Sequence, residues 1–215
     1  MKIGIIGSGI VGQTLAKAFS SEGHTVMLGT RNIAKKEVVD FNMANPQIAI
    51  GDFATTAAFG EVLVLATGGA VTLEAITLSG TVNFANKVVI DTTNPIAAAP
   101  PVDGVLQYFT GPNESLMERI QQHIPDAWVV KAFNSVGNAA FYKPAFTEGT
   151  PTMFIAGNSD TAKATVTTIL AAFGWDTADM GKAAAARAIE PLCMLWCIDG
   201  FVKNDWYHAF KILRK

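Results

Sequence analysis

Cysteine is nearly absent. The 215-residue chain has two, Cys193 and Cys197, four apart in a run that also holds Leu192, Met194, Leu195 and Trp196. At that spacing and in that company they read as neighbours in a packed helix, not as a disulfide framework or a metal site. Histidine is almost as scarce, and His24, His123 and His208 are too scattered to suggest a metal-ligand set. Charged residues make up 16% of the chain and the net charge is −2. That leaves no basic footprint for nucleic acid or for an anionic membrane surface. No uninterrupted apolar stretch reaches the length of a bilayer span. The apolar opening of the chain does not read as a signal peptide either, since it has only Lys2 ahead of it and is broken by glycines. The expectation is a soluble, cytoplasmic, metal-free protein with no nucleic-acid or membrane partner. Hydrophobic residues account for 50%, enough for a substantial core in one large or two small domains.

Glycine, by contrast, stands where chemistry needs it. Ile3 to Ile6 reads as a buried parallel strand. Gly7-Ser8-Gly9-Ile10-Val11-Gly12 follows at G-x-G-x-x-G spacing, ahead of a helix with Val11, Leu15, Ala18 and Phe19 on one face. This strand, turn and helix context is that of a dinucleotide fingerprint. Gly7 permits the tight turn, Gly9 lets a pyrophosphate approach the backbone, and Gly12 lets the helix pack on the strand. The helix N-terminus offers unpaired N–H groups to the phosphates. A second strand, Thr25 to Leu28, ends at Gly29-Thr30-Arg31-Asn32. An enzyme selective for NAD carries an acid at this point to accept from the ribose 2′-hydroxyl. Here that acid is missing. A hydroxyl, a guanidinium and an amide take its place, with Lys35 and Lys36 about one helical turn further on. Arg31 can clasp a phosphate through two charge-assisted hydrogen bonds, so the expected cofactor is NADP(H).

Expected helices at 34–43, 53–59 and 70–78 alternate with expected strands near 48–50, 61–66 and 87–91. Residues 97–111 read as loop. Asn113 is the expected cap of a helix with Leu116, Met117 and Ile120 inward, and 128–133 is a further strand. This alternation gives an α/β fold, a Rossmann-type doubly wound parallel sheet over residues 1–138. A small C-terminal α/β unit, residues 139–215, is expected to pack on it. That unit has a strand at 151–156 and a helix capped by Ser159 or Asn158 and stopped by Gly174. A short strand at 175–178 follows, then an Ala-rich helix that Pro191 kinks or restarts. Residues 192–201 are apolar nearly all round and should be buried against the sheet or a second copy. A homodimer fits that run, and so does burial within one chain. Three strands end in small polar sequences: Thr67-Gly68-Gly69, Thr93-Asn94-Pro95 and Asn134-Ser135-Val136. Ligands of open α/β sheets bind outside the carboxyl ends of the strands, so these ends should line the crevice around a nicotinamide.

An NADP site implies hydride transfer, and reduction of a carbonyl or imine needs a positioned proton donor. Lys131, within a strand, and Asp91, at a strand end, are as readily structural as chemical. Lys182 reaches the crevice only if the second unit folds over it. No catalytic acid or base is identified, which favours a reaction that asks little of side chains, such as transfer between two stacked cofactors.

The Gly7–Gly12 fingerprint, Gly29-Thr-Arg-Asn32, Asp91-Thr-Thr-Asn-Pro95, Lys131-Ala-Phe-Asn134 and the closing Arg187-Ala-Ile-Glu190-Pro191 give the chain a likeness over nearly its whole length. It resembles the deazaflavin-dependent NADP reductase family and the cytosolic oxidoreductase domain of six-transmembrane metalloreductases. The resemblance implies a phosphate-binding loop of Gly7, Ser8, Gly9, Ile10 and Val11. It implies 2′-phosphate contacts from Thr30 and Arg31, with Lys35 a weaker match beside Asn32. It places Thr67, Gly68, Asn94, Pro95 and Asn134 by the nicotinamide and a second ring. That second cofactor is a deazaflavin in one branch and a flavin, FAD or FMN, in the other. Typical deazaflavin reductases have a proline after the fourth strand, where this chain has Thr67-Gly68-Gly69. Its Thr-Asn-Pro and Lys-Ala-Phe-Asn segments look closer to the metalloreductase branch, whose membrane segments and haem ligands it lacks. Two other functions stay open: NADPH-dependent reduction of a small imine or hydroxy or keto acid, and non-catalytic NADP sensing.

Overall fold

Short runs of aliphatic residues, apolar on both faces, fold only where helices cover them from both sides. The computed structural model describes residues 1–214, with Lys215 outside them. The chain runs β1 (Lys2–Ile6), α1 (Ile10–Ser21), β2 (Thr25–Gly29), α2 (Lys36–Ala44), β3 (Ala49–Gly51), α3 (Phe53–Phe59) and β4 (Val62–Leu65). It continues through α4 (Thr72–Ser79), β5 (Val88–Asp91), α5 (Leu116–His123) and β6 (Trp128–Lys131). β7 (Thr152–Gly157), α6 (Asp160–Ala172), β8 (Asp176–Asp179), α7 (Ala186–Ile189) and α8 (Pro191–Lys203) complete it. The strands form an eight-stranded sheet in the order β3-β2-β1-β4-β5-β6-β7-β8. The pairings are parallel except that β7 runs antiparallel to β6. This is a Rossmann-type doubly wound α/β fold, and β7, α6 and β8 extend the same sheet beyond β6.

Side chains alternate along each strand, as the period of two requires. Ile3, Ile5, Val62, Val64, Val88 and Ile90 pack with Leu15 and Phe19 of α1 and Val166 and Leu170 of α6. Ile6, Leu63, Leu65 and Val89 pack with Ala57 of α3, Ile76 of α4 and Met117 and Ile120 of α5. Burying each large aliphatic side chain contributes about 1.5–3 kcal/mol. Gly12 brings α1 so close to the turn after β1 that a Cβ there would overlap the Gly7 carbonyl. Gly12→Ala should therefore cost about 1–3 kcal/mol of stability, seen as a lower Tm in thermal unfolding. An unchanged Tm would mean that helix and turn separate freely.

The structure departs from the sequence reading at three points. Ser115, not Asn113, caps α5, its hydroxyl accepting from Glu118 N–H at 3.2 Å. Ser115 and Glu118 stand at capping-box spacing, which outweighs the amide two residues earlier. Strand β6 stops at Lys131, and Phe133 takes a left-handed φ of 63°, a rare conformation for a bulky residue. Its ring is buried against Phe141 and Phe173, packing that holds the backbone there. Finally, α8 is not buried all round. Cys193, Trp196 and Cys197 pack on Leu106 and Tyr108 of the loop after β5 and on Phe210 of the tail, while Leu195, Phe201 and Val202 are exposed. Pro191 occupies the first turn of α8, so it restarts the helix, a position where its missing N–H costs nothing.

Candidate functional site

The strand order reverses between β1 and β4, and a doubly wound sheet opens its ligand crevice at such a switch point. Two adjoining cavities lie there and share Gly9, Thr67 and Gly68. The first, about 360 Å³, runs from the turn after β1 to the end of β2. Gly7, with φ 124°, makes that turn, and a side chain on it would press on the Ala66 backbone. Gly9 is different. Its φ is an ordinary −72°, and a Cβ added to it would meet nothing within 4 Å. A Cβ on Gly68, across the cavity, would also meet nothing. The two bare backbones therefore leave a gap that side chains would fill. No side chain caps α1 and no acid stands in its first turn, so its leading N–H groups are available to an anion. These features fit a pyrophosphate.

At the far end of this cavity stand Thr30, Arg31, Asn32 and Lys35. Thr30 is buried. Its hydroxyl accepts from Ser8 Oγ at 3.0 Å and from Asn32 N–H at 3.2 Å, tying the two phosphate-facing loops together. The Asn32 side chain accepts from Ala34 N–H at 3.0 Å and shapes the turn into α2. Arg31 is exposed and enters no salt bridge among the described residues, whereas Lys35 sits 3.7 Å from Glu37 and Lys36 2.6 Å from Asp40. No acid of β2 or its end lines the cavity, which fits a 2′-phosphate. The opposite wall is largely apolar, with Phe53, Val71, Ala75 and Leu78, and Glu74 of α4 is the one acid among the described residues lining the cavity. The sequence reading missed this wall, although Val71, Ala75 and Leu78 recur at helical spacing.

The second cavity, about 460 Å³, lies beyond Gly9 and Gly68, among Ile10, Val11, Thr92, Thr93, Asn94 and Ile96. No residue lining it carries a titratable side chain. Pro95 and Asn134 lie behind this wall and do not line it: both are buried. Asn134 accepts at its carbonyl from Asn94 Nδ2 at 2.8 Å, and its own Nδ2 donates to the Ile189 carbonyl at 3.0 Å. It thus locks Asn94 in place and ties it to the end of α7.

Lys131 and Asp91 are fully buried and paired at 2.6 Å. Glu190, which the sequence reading gave no role, joins them at 2.8 Å from Lys131. Burial works against the Lys131 ammonium, but the Asp91 and Glu190 carboxylates outweigh it and hold its pKa above the ordinary lysine value. Lys182 does not line the crevice; its Nζ lies 3.5 Å from the Asn158 carbonyl. Tyr207 and Lys211 stand at Tyr-x-x-x-Lys spacing. The tail is not helical there, Tyr207 packs on Phe146, and Lys211 donates to the Thr150 carbonyl, so neither reaches the crevice. Among the described residues no group of three or more His, Cys, Asp or Glu is placed to hold a metal, and no helix is long and apolar enough to cross a membrane.

Comparison with known proteins adds a family. The model of the NADP oxidoreductase, coenzyme F420-dependent family matches residues 2–95. A candidate F420-dependent NADP reductase from Arthrobacter sp. FB24 is 32% identical, with both chains covered in full and a TM-score of 0.92. The metalloreductase STEAP3 of Rattus norvegicus is 28% identical over 191 residues, 89% of this chain and 36% of that protein. The chain thus spans about a third of that relative's length. An imine reductase from Aspergillus terreus shares the fold alone, at 16% identity and a TM-score of 0.68, over 94% of this chain and 63% of that one.

Proposed function

Since this chain belongs to the coenzyme F420-dependent NADP oxidoreductase family and is an NADP-dependent oxidoreductase, we propose that it moves hydride between NADPH and a deazaflavin or flavin ring. The observation that carries this reading is the second cavity, whose lining has no acid or base. Carbonyl and imine reduction need a positioned proton donor. A flavin-like acceptor holds its own ring nitrogens for that proton, so the protein need only orient the rings and keep water out.

In this reading the backbone at Gly7, Ser8 and Gly9 and the start of α1 hold the pyrophosphate. Arg31 takes the 2′-phosphate, with Lys35 beside it, and the wall of Phe53, Val71 and Leu78 receives the adenine. Bound NADPH supplies the hydride. Ile10, Val71 and Ile96 line the second cavity although they are 64%, 38% and 38% exposed. That apolar rim is suited to receive a flat ring that covers it. The test is NADPH oxidation followed by absorbance, with a deazaflavin, FMN and FAD added separately. Rapid oxidation with one of them is expected. No oxidation with any, alongside measured NADPH binding, would overturn the reading and turn attention to small imines and carbonyl compounds or to a sensing role.

A further inference from the structure

Two carboxylates and one ammonium lie buried directly behind the wall of the second cavity. Lys131 Nζ is 2.6 Å from Asp91 Oδ2 and 2.8 Å from Glu190 Oε1, and the three side chains are 0%, 0% and 2% exposed. Asp91 Oδ1 accepts from the N–H and the hydroxyl of Thr93 at 2.9 and 2.7 Å. Lys131 donates to the Thr93 carbonyl at 2.8 Å. Thr93 itself lines the cavity, so one residue separates the cluster from the crevice. Glu190 also accepts from the N–H groups of Leu116 and Met117, each at 2.9 Å, at the start of α5.

Two negative groups and one positive leave a formal charge of −1. The positive end of α5, worth about half a charge, offsets part of it. The ion pairs that α5 makes, Glu118 with Arg187 at 2.6 Å and Arg119 with Glu114 at 2.7 Å, are each neutral as pairs. No lining residue of the cavity adds a charge of its own.

We infer that this cluster, through Glu190, biases the crevice toward the oxidised nicotinamide and so favours NADPH as the hydride donor. The inference rests on the reading that puts the nicotinamide in the second cavity. When hydride leaves C4 of the dihydronicotinamide, it takes two electrons and one hydrogen nucleus. The neutral ring becomes a pyridinium with one positive charge. The flavin-like acceptor gains the hydride and takes one proton from water, so the sum is NADPH plus oxidised acceptor plus a proton giving NADP⁺ plus reduced acceptor. A fixed negative charge nearby senses only the change in ring charge. At an effective dielectric of about 20, a partial charge one residue away amounts to a bias of roughly five- to tenfold. Glu190 is a positioning residue in this scheme, acting through Lys131 and Thr93 without touching the ring.

The test is calorimetric binding of NADP⁺, NADPH and adenosine 2′,5′-bisphosphate to the wild-type protein, Glu190→Gln and Glu190→Asp. The wild-type protein should bind NADP⁺ more tightly than NADPH. Glu190→Gln, which removes a whole unit charge, should weaken NADP⁺ relative to NADPH by roughly ten- to thirtyfold. Glu190→Asp, which keeps the charge, should keep the wild-type ratio, and adenosine 2′,5′-bisphosphate should bind all three proteins alike. An unshifted ratio in Glu190→Gln, or equal weakening of all three ligands, would overturn the charge inference and leave the cofactor assignment standing. If Glu190→Gln does not fold, the wild-type preference decides, and tighter NADPH binding refutes the inference. Failure to bind any of the three ligands would overturn the cofactor reading itself.

Discussion

Gly9→Val should abolish NADPH binding without unfolding the protein. The two glycines of the turn answer to different constraints. Gly12 has the Gly7 carbonyl where a Cβ would go, so its smallness serves packing. Gly9 has open space there and an unstrained φ, so its smallness leaves room for a ligand. Two γ-carbons at Gly9 would fill the gap facing Gly68 and hold the phosphates off the N–H groups of α1. Losing even one or two hydrogen bonds to a charged group costs about 3 kcal/mol or more, a weakening of roughly 100-fold or greater. Valine is a poorer N-cap than glycine, which costs about 1 kcal/mol at most and lowers Tm by about 4 °C or less. Calorimetric titration with NADPH and a thermal melt on the same variant check both halves. Retained affinity would show that the turn is not the phosphate site.

Arg31→Ala should remove most of the discrimination between NADPH and NADH. The guanidinium lines the first cavity with no salt-bridge partner among the described residues, which leaves its charge available to the proposed 2′-phosphate. Its removal should weaken NADPH by about tenfold to a hundredfold, since hydrogen bonds to charged groups are worth about 1.5–3 kcal/mol and exposure trims that figure. NADH, which offers no phosphate at that point, should be nearly unaffected. Raising ionic strength should narrow the wild-type preference and leave that of the variant unchanged. Equal losses for both nucleotides would remove Arg31 from the 2′-phosphate site.

The local geometry at both positions was legible in the sequence because the constraints on it are local. The turn after β1 is set by the steric limits of a few consecutive residues, and the end of β2 is read from which side chain follows the strand. Other parts were not legible. Pro95 and Asn134 sit at the strand ends where a ring was expected to lie, yet both are buried, and Asn134 holds Asn94. A sequence places a residue at a strand end but does not say which layer it occupies. The wall of Phe53, Val71, Ala75 and Leu78 was read only as parts of two helices, because an apolar helix face looks the same in sequence whether it meets a sheet or a cavity. The Ser115 cap was available from the spacing to Glu118, and the expectation of Asn113 weighed one side chain against none.

The sequence by itself determined the alternation of strand and helix, the glycine turn, and the absence of an acid where NAD would need one. Each of these depends on neighbours within a few positions, through backbone sterics and side-chain period. Only the tertiary structure decided that β7 enters antiparallel beside β6, that α8 packs on the loop after β5 and the tail, and that Glu190 closes a buried cluster with Lys131 and Asp91. A charge is kept in a protein interior only where its partners converge on it. For Glu190 those partners include the Leu116 N–H, 74 residues earlier in the chain, and the Lys131 ammonium at the end of β6. No local pattern records such a meeting, so in the sequence Glu190 reads as one more acid before a proline.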